Sequence, residues 1–159
     1  DPARIKGEKK AAGAFARIAS SGALFISRGD KSGTHKKELK LWDLAKTKPA
    51  AEKYIEAGQG MAAVIGMANE KEAYVLADRS TYLSLKKTIG LVILSEGDEA
   101  LLNRYSLILV NVEKFPKVNA EGAKAFFDFL LTKQTKKIVE KYGVEKYGKQ
   151  LFFYDYKAK

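Results

Sequence analysis

Apolar residues recur at helical spacing in several stretches of this chain. Ala11, Ala14, Phe15 and Ile18 share one stripe, which predicts a helix over residues 11–19. Residues 33–46 predict a second. There His35, Leu39 and Trp42 fall close to one stripe, and Leu41 and Ala45 widen it. Met61, Val64, Ile65 and Ala68 follow the i, i+3, i+4, i+7 pattern after a Gly58-Gln59-Gly60 turn, so a third helix begins there. Residues 81–87 read as a fourth. Ala123, Phe126, Phe127, Leu130 and Leu131 form an apolar stripe, and residues 135–142 continue as a further helix. Between the helices lie short apolar runs that read as strands: residues 23–27, 73–76, 91–94 and 107–110. Pro49 starts a new element of unassigned type. Strands alternating with helices predict an α/β fold.

One junction carries more than fold information. The apolar run ending at Ile26 opens into Ser27-Arg28-Gly29-Asp30-Lys31-Ser32-Gly33-Thr34 and then a helix. The first N–H groups of a helix have no partner within it, and its dipole favours negative charge there. Arg28 adds a planar guanidinium that can donate two parallel hydrogen bonds. Ser27, Ser32 and Thr34 add hydroxyl or backbone donors, and Gly33 permits close backbone approach. That donor set suits a tetrahedral oxyanion, which offers only acceptors. A plainer reading stands beside it: Ser32 or Thr34 caps the helix and the glycines serve the turn. Asp30 is placed to orient Arg28 or cap the turn. His35 is a second-rank candidate donor with a structural role as its rival. Two further turns follow apolar runs or precede helices. Gln59 and Gly60 could cap an oxyanion or simply start their helix. Arg79 is either a ligand group or an ion-pair partner of Glu56 or Asp78. In open α/β sheets, ligands bind beyond the carboxyl ends of strands, and these three turns are candidates for that edge.

Composition narrows the alternatives. With no cysteine and one histidine, the chain has no disulfide, zinc-thiolate site, histidine-pair metal site or Cys–His nucleophile. No G-x-S-x-G elbow or Walker lysine pattern is present, so hydrolase and NTPase readings fall away and the chain reads as a non-enzyme needing no cofactor. The net charge of +10 raises nucleic acid as a partner. The lysines are spread over predicted helix surfaces, however, with no RNA-binding aromatic signature, so solvated faces are favoured over nucleic-acid binding. No apolar run approaches the ~18 residues of a transmembrane helix. A start at Asp1 reads as a processed or truncated chain.

The whole string over residues 27–38, SRGDKSGTHKKE, resembles the SRGDDSGTHKKE segment of substrate-binding proteins of tungstate ABC importers. The resemblance continues through residues 54–61 (YIEAGQGM, like YIETGQGM), residues 77–82 (ADRSTY, like TDRGTY), and Ser95-Glu96-Gly97-Asp98 with Asn103-Arg104-Tyr105. It runs from Asp1 to Leu151. Lys31 departs from the usual Asp, and Ser80 from a Gly. The resemblance implies a periplasmic-binding-protein-like (type II) fold of two α/β lobes with the anion between them. Residues 1–105 would form the middle lobe carrying the oxyanion turn. Residues 106–159 would cross back to the second lobe, whose N-terminal part, with its TTTS-like turn, has no counterpart here. It implies an extracytoplasmic (periplasmic) protein, with or without a membrane-anchored precursor, that captures tungstate or molybdate. Its partner would be the importer's membrane permease. The apolar face of residues 122–131 would be exposed or packed on another chain. The alternative is a cytosolic oxyanion-sensing domain of a transcriptional regulator.

Overall fold

A computed structural model describes residues 1–156. The chain divides into two compact units, Asp1–Asn103 and a second beginning at Arg104.

The first unit is built on a parallel three-stranded sheet in the order β2-β1-β3, with β1 at Phe25–Ser27, β2 at Tyr54–Glu56 and β3 at Tyr74–Val75. Phe25 registers with Tyr54 on one side and Tyr74 on the other. Side chains alternate across a strand, so β1 feeds two cores. Phe25 packs with Phe15, Leu41 and Trp42, which come from α1 (Ala11–Ser20) and α2 (Gly33–Ala45). Ile26 faces the other way, onto Met61, Val64, Ile65 and Ala68 of α3 (Met61–Glu70). The stripes read from the sequence are the buried faces: Ala11, Ala14, Phe15 and Ile18 in α1, and Met61, Val64, Ile65 and Ala68 in α3.

Aromatic rings fill the first core. The Phe15 and Trp42 centroids lie 4.3 Å apart, and Phe25 meets Trp42 edge-on at 5.1 Å. Tyr54 stacks on Phe25 at 6.0 Å. Such offset and edge-on contacts add to the burial of large apolar area.

Four expectations need correction. Residues 54–56, not assigned from sequence, form β2 after a short 3-10 turn at Ala51–Lys53. The helix expected at 81–87 is α4, Arg79–Leu85, which starts two residues earlier because the Asp78 carboxylate accepts the Thr81 N–H at 2.8 Å and so caps it. Residues 91–94 are not a strand. Val92 and Ile93 are exposed, and the segment is pinned instead by single bonds, from Gly7 N–H to the Leu94 carbonyl at 2.9 Å and from Ser95 Oγ to the Glu8 carbonyl at 2.6 Å. Nor are residues 107–110 a strand. Leu107, Ile108, Leu109 and Val110 are all exposed, and no strand among the described residues pairs with them. An apolar run signals burial only where a neighbour exists to supply a ladder.

The second unit is helical: α5 at Ala120–Leu130, α6 at Lys133–Lys141 and a short α7 at Val144–Tyr147. Phe126 and Phe129 are exposed on α5. Thr135 is the one buried residue this unit holds among those described. Its hydroxyl donates to the Phe129 carbonyl at 2.7 Å and ties α6 to α5. No helix among the described residues is long and apolar enough to cross a membrane.

Candidate anion-binding site

Parallel strands send all three following turns out of one sheet edge. Ser27 ends β1 opposite Glu56, which ends β2. The turns at residues 28–32, 57–60 and 76–78 leave from that edge and lead into α2, α3 and α4. The carbonyl of Ser27 accepts the Ala57 N–H at 2.9 Å, which stitches the first two turns together.

The turn after β1 is held by its own side chains. Arg28 donates from Nε at 3.1 Å and from Nη2 to the same Asp30 oxygen. The other Asp30 oxygen accepts the Ser32 N–H at 3.1 Å. The Ser32 hydroxyl, the Ser32 amide and Arg28 together hold the Asp30 carboxyl down at about 2, against a desolvation that works the other way. Asp30 therefore stays charged and serves both expected purposes, orienting Arg28 and closing the turn. Nη1 of Arg28 has no acceptor among the described residues, and the guanidinium is mostly shielded from solvent. Ser32 is the helix cap, accepting the His35 N–H at 3.3 Å.

Gly29 is required where it stands. Its φ of +61° lies in the left-handed region, and a Cβ there would meet the Glu56 Cβ at 2.8 Å. Lys31, at φ 60°, adopts the same region without glycine's freedom. One of the two positions where this chain departs from the tungstate-importer pattern is thus a left-handed one, which Asp tolerates better than Lys.

Ser27 is fully buried. Its oxygen accepts the Gly29 N–H at 3.2 Å. Against the same strand face lies Glu38, 1% exposed, a residue that nothing in its Lys-Lys-Glu-Leu-Lys run singles out. Glu38 Oε1 accepts the Tyr54 hydroxyl at 2.6 Å and Trp42 Nε1 at 3.3 Å, and the Ser27 side chain reaches it as well. Burial pushes the Glu38 carboxyl upward, and these donors offset only part of that. The Tyr54 hydroxyl is likewise pushed well up, by burial first and by Glu38 second. The missed signal was positional: Glu38 stands at i+3 from His35 and i−4 from Trp42, on the buried stripe.

His35 is 7% exposed, with Nδ1 accepting the Lys31 N–H at 3.0 Å. Its Nε2 is buried without a hydrogen-bond partner, and Glu56 Oε1 lies 3.6 Å away. Thr34 is half-buried in the first turn of α2, and Gly33 is exposed beside it. Gln59 and Gly60 are exposed at the start of α3, which has no side-chain cap. Arg79 pairs with neither Glu56 nor Asp78. Its Nη2 bonds the Glu96 carboxylate at 2.5 Å, while Asp78 is occupied by Ser80 and Thr81. Burial would raise the Asp78 carboxyl, but those donors outweigh it and leave it lowered.

The family model described as a PBP superfamily domain matches residues 2–134 of this sequence. The chain belongs to the PBP superfamily. Its parallel sheet, with three turns leaving one edge, is the α/β architecture expected of that family. Among relatives, it is 47% identical over 154 residues to a tungstate-binding protein TupA of Peptoclostridium acidaminophilum, covering 96% of this chain and 54% of that protein. Among solved structures, it is similar to the tungstate binding protein TupA from Desulfovibrio alaskensis G20, at 40% identity and a TM-score of 0.77, covering 96% of this chain and 62% of that one. It is also similar to the structure titled the tungstate ABC transporter from Geobacter sulfurreducens, at 43% identity and a TM-score of 0.73, covering 89% of this chain and 60% of that one. The chain thus spans about half to three-fifths of the length of these relatives.

Proposed function

We propose that the protein carrying this chain is a solute-binding protein, not an enzyme, that captures tungstate outside the cytoplasm for an ABC importer. The observation that supports it best is the turn after β1. There a guanidinium fixed by Asp30 stands beside the N-terminus of α2, at the ligand edge of a parallel sheet. Relatives named for tungstate binding share the surrounding sequence. Arg28, Thr34 and Gly33 would supply donors to the anion, with Gln59, Gly60 and Arg79 of second rank. Ser32, whose hydroxyl and amide both turn to Asp30, and His35, whose Nδ1 accepts the Lys31 N–H, would shape the turn rather than touch the anion. Ser27 would anchor it, because its hydroxyl is engaged below the turn and its carbonyl accepts the Ala57 N–H.

One lobe does not suffice. Hydrogen bonds to charged groups contribute about 1.5–3 kcal/mol each. Two or three of them, less an association cost of at least ~4 kcal/mol, give weak binding. Nanomolar capture needs about 12 kcal/mol. We infer that residues 1–105 belong to one lobe and that the chain after them returns to a second, which supplies the remaining donors. The permease of the importer is the partner that then receives the anion.

Calorimetric titration of the intact protein with tungstate, molybdate and sulfate tests this. Tungstate should bind at least a hundredfold more tightly than sulfate, because the longer metal–oxygen bonds demand a larger cavity. Sulfate binding as tightly as tungstate would end the assignment.

A further inference from the structure

Among the described residues, His35 carries the one buried side-chain nitrogen or oxygen without a hydrogen-bond partner. Nδ1 accepts the Lys31 N–H at 3.0 Å. An accepting Nδ1 carries no proton, so the neutral ring holds its hydrogen on Nε2. That Nε2 is buried and donates to nothing. A side chain that set a donor in place of the Nδ1 lone pair would face the Lys31 N–H donor to donor, and the bond would become a repulsion.

Lys31 is where such a change would act. It sits at φ 60° between Asp30 and Ser32, the two residues whose bonds to each other and to Arg28 define the turn. The left-handed conformation is costly for lysine and persists only while something holds it. The Nδ1 lone pair is that hold.

We propose that His35 is a positioning residue for the oxyanion turn, holding it in its anion-binding shape through the Nδ1 lone pair. The proposal rests on the reading of this turn as an anion site. It assigns His35 no contact with the anion.

The test compares His35→Asn, whose amide oxygen can stand where Nδ1 stands, with His35→Gln, whose oxygen reaches the Nε2 position instead. Binding of micromolar sodium tungstate by the intact protein is measured by equilibrium dialysis at pH 8. His35→Asn should bind within about threefold of wild type and His35→Gln at least tenfold more weakly. Equal binding by the two variants overturns the proposal. Should the variants fail to fold, nitrogen-15 NMR of the wild-type imidazole decides it. A hydrogen on Nε2 at pH 8, with a hydrogen-bond coupling between Nδ1 and the Lys31 amide, supports the proposal, and a hydrogen on Nδ1 at pH 8 refutes it. Absence of tungstate binding by wild type at pH 8 would sink the functional reading instead, and leave the NMR result to judge the turn.

Discussion

Individual side chains in the turn have separable jobs. Arg28 is fixed by Asp30 through two of its nitrogens and keeps Nη1 uncommitted. Lysine retains charge at that position but loses the planar fork. Arg28→Lys should therefore weaken tungstate binding by at least tenfold in calorimetry. Lys31→Asp should be tolerated despite its change of two charge units, because aspartate accepts the left-handed backbone that Lys31 adopts. Equal losses in the two variants would mean that general positive potential governs binding. Glu38 gives a second residue-level expectation. Burial holds its folded-state carboxyl above the unfolded value. The folded state thus favours the protonated form, so this group lowers stability as pH rises past the unfolded pKa of about 4.3 and stops doing so above its own folded pKa. Glu38→Gln keeps the acceptor for Tyr54 and Trp42 without the charge. In urea denaturation it should match wild type near pH 3 and equal or exceed it at pH 7.5. Glu38→Ala strands two buried donors and should cost about 2 kcal/mol or more at either pH.

Elements were legible where one face is buried over several turns. Four residues each in α1 and α3 carry the core contacts, and both sets repeat at helical spacing in the sequence. The candidate turn was legible for a related reason: a short apolar strand, glycines and a helix cap are local signals. β2 was not legible. It is three residues long, with Glu56 exposed, and its pairing with β1 is a property of the fold rather than of its own pattern. The runs at 91–94 and 107–110 failed the other way, since their apolar character says nothing about a partner strand. Arg79 shows the same limit for charge, as Glu96 lies seventeen positions along the chain. The best-supported element contact is the aromatic cluster of α1, α2 and the sheet. Trp42 is 1% exposed and touches Phe15, Phe25 and Tyr54. Trp42→Ala should cost about 3–5 kcal/mol in urea denaturation. Because Trp42 also bonds Glu38, the loss should carry over into the turn as weaker tungstate binding.

The whole molecule is uneven in burial. Every residue of the two hydrophobic cores lies in the first unit. In the second, Leu107, Ile108, Leu109, Val110 and Phe126 are exposed. Local stability follows buried contact, so hydrogen exchange of the 159-residue chain should divide sharply. Amides of β1 and α3 should exchange only with global unfolding, and those of residues 104–118 should exchange within seconds to minutes. Uniform protection along the chain would contradict that division.

The central place of β1 bears on how the molecule comes into being. Phe25 and Ile26 cannot complete their ladders until Tyr54–Glu56 has returned on one side and Tyr74–Val75 on the other. Each return needs a right-handed crossover through a whole helix. Pairings so distant in sequence form late, because the loop between them must close before any contact repays it. The anion turn hangs from the end of this strand, so it is among the last features to take shape although its residues lie near the front of the sequence. A nascent chain would therefore have Arg28 and Asp30 in place long before it could hold an ion. Ligand capture would report the completion of the sheet, and the rate at which refolding protein gains tungstate binding should lag behind the rate at which its helices form.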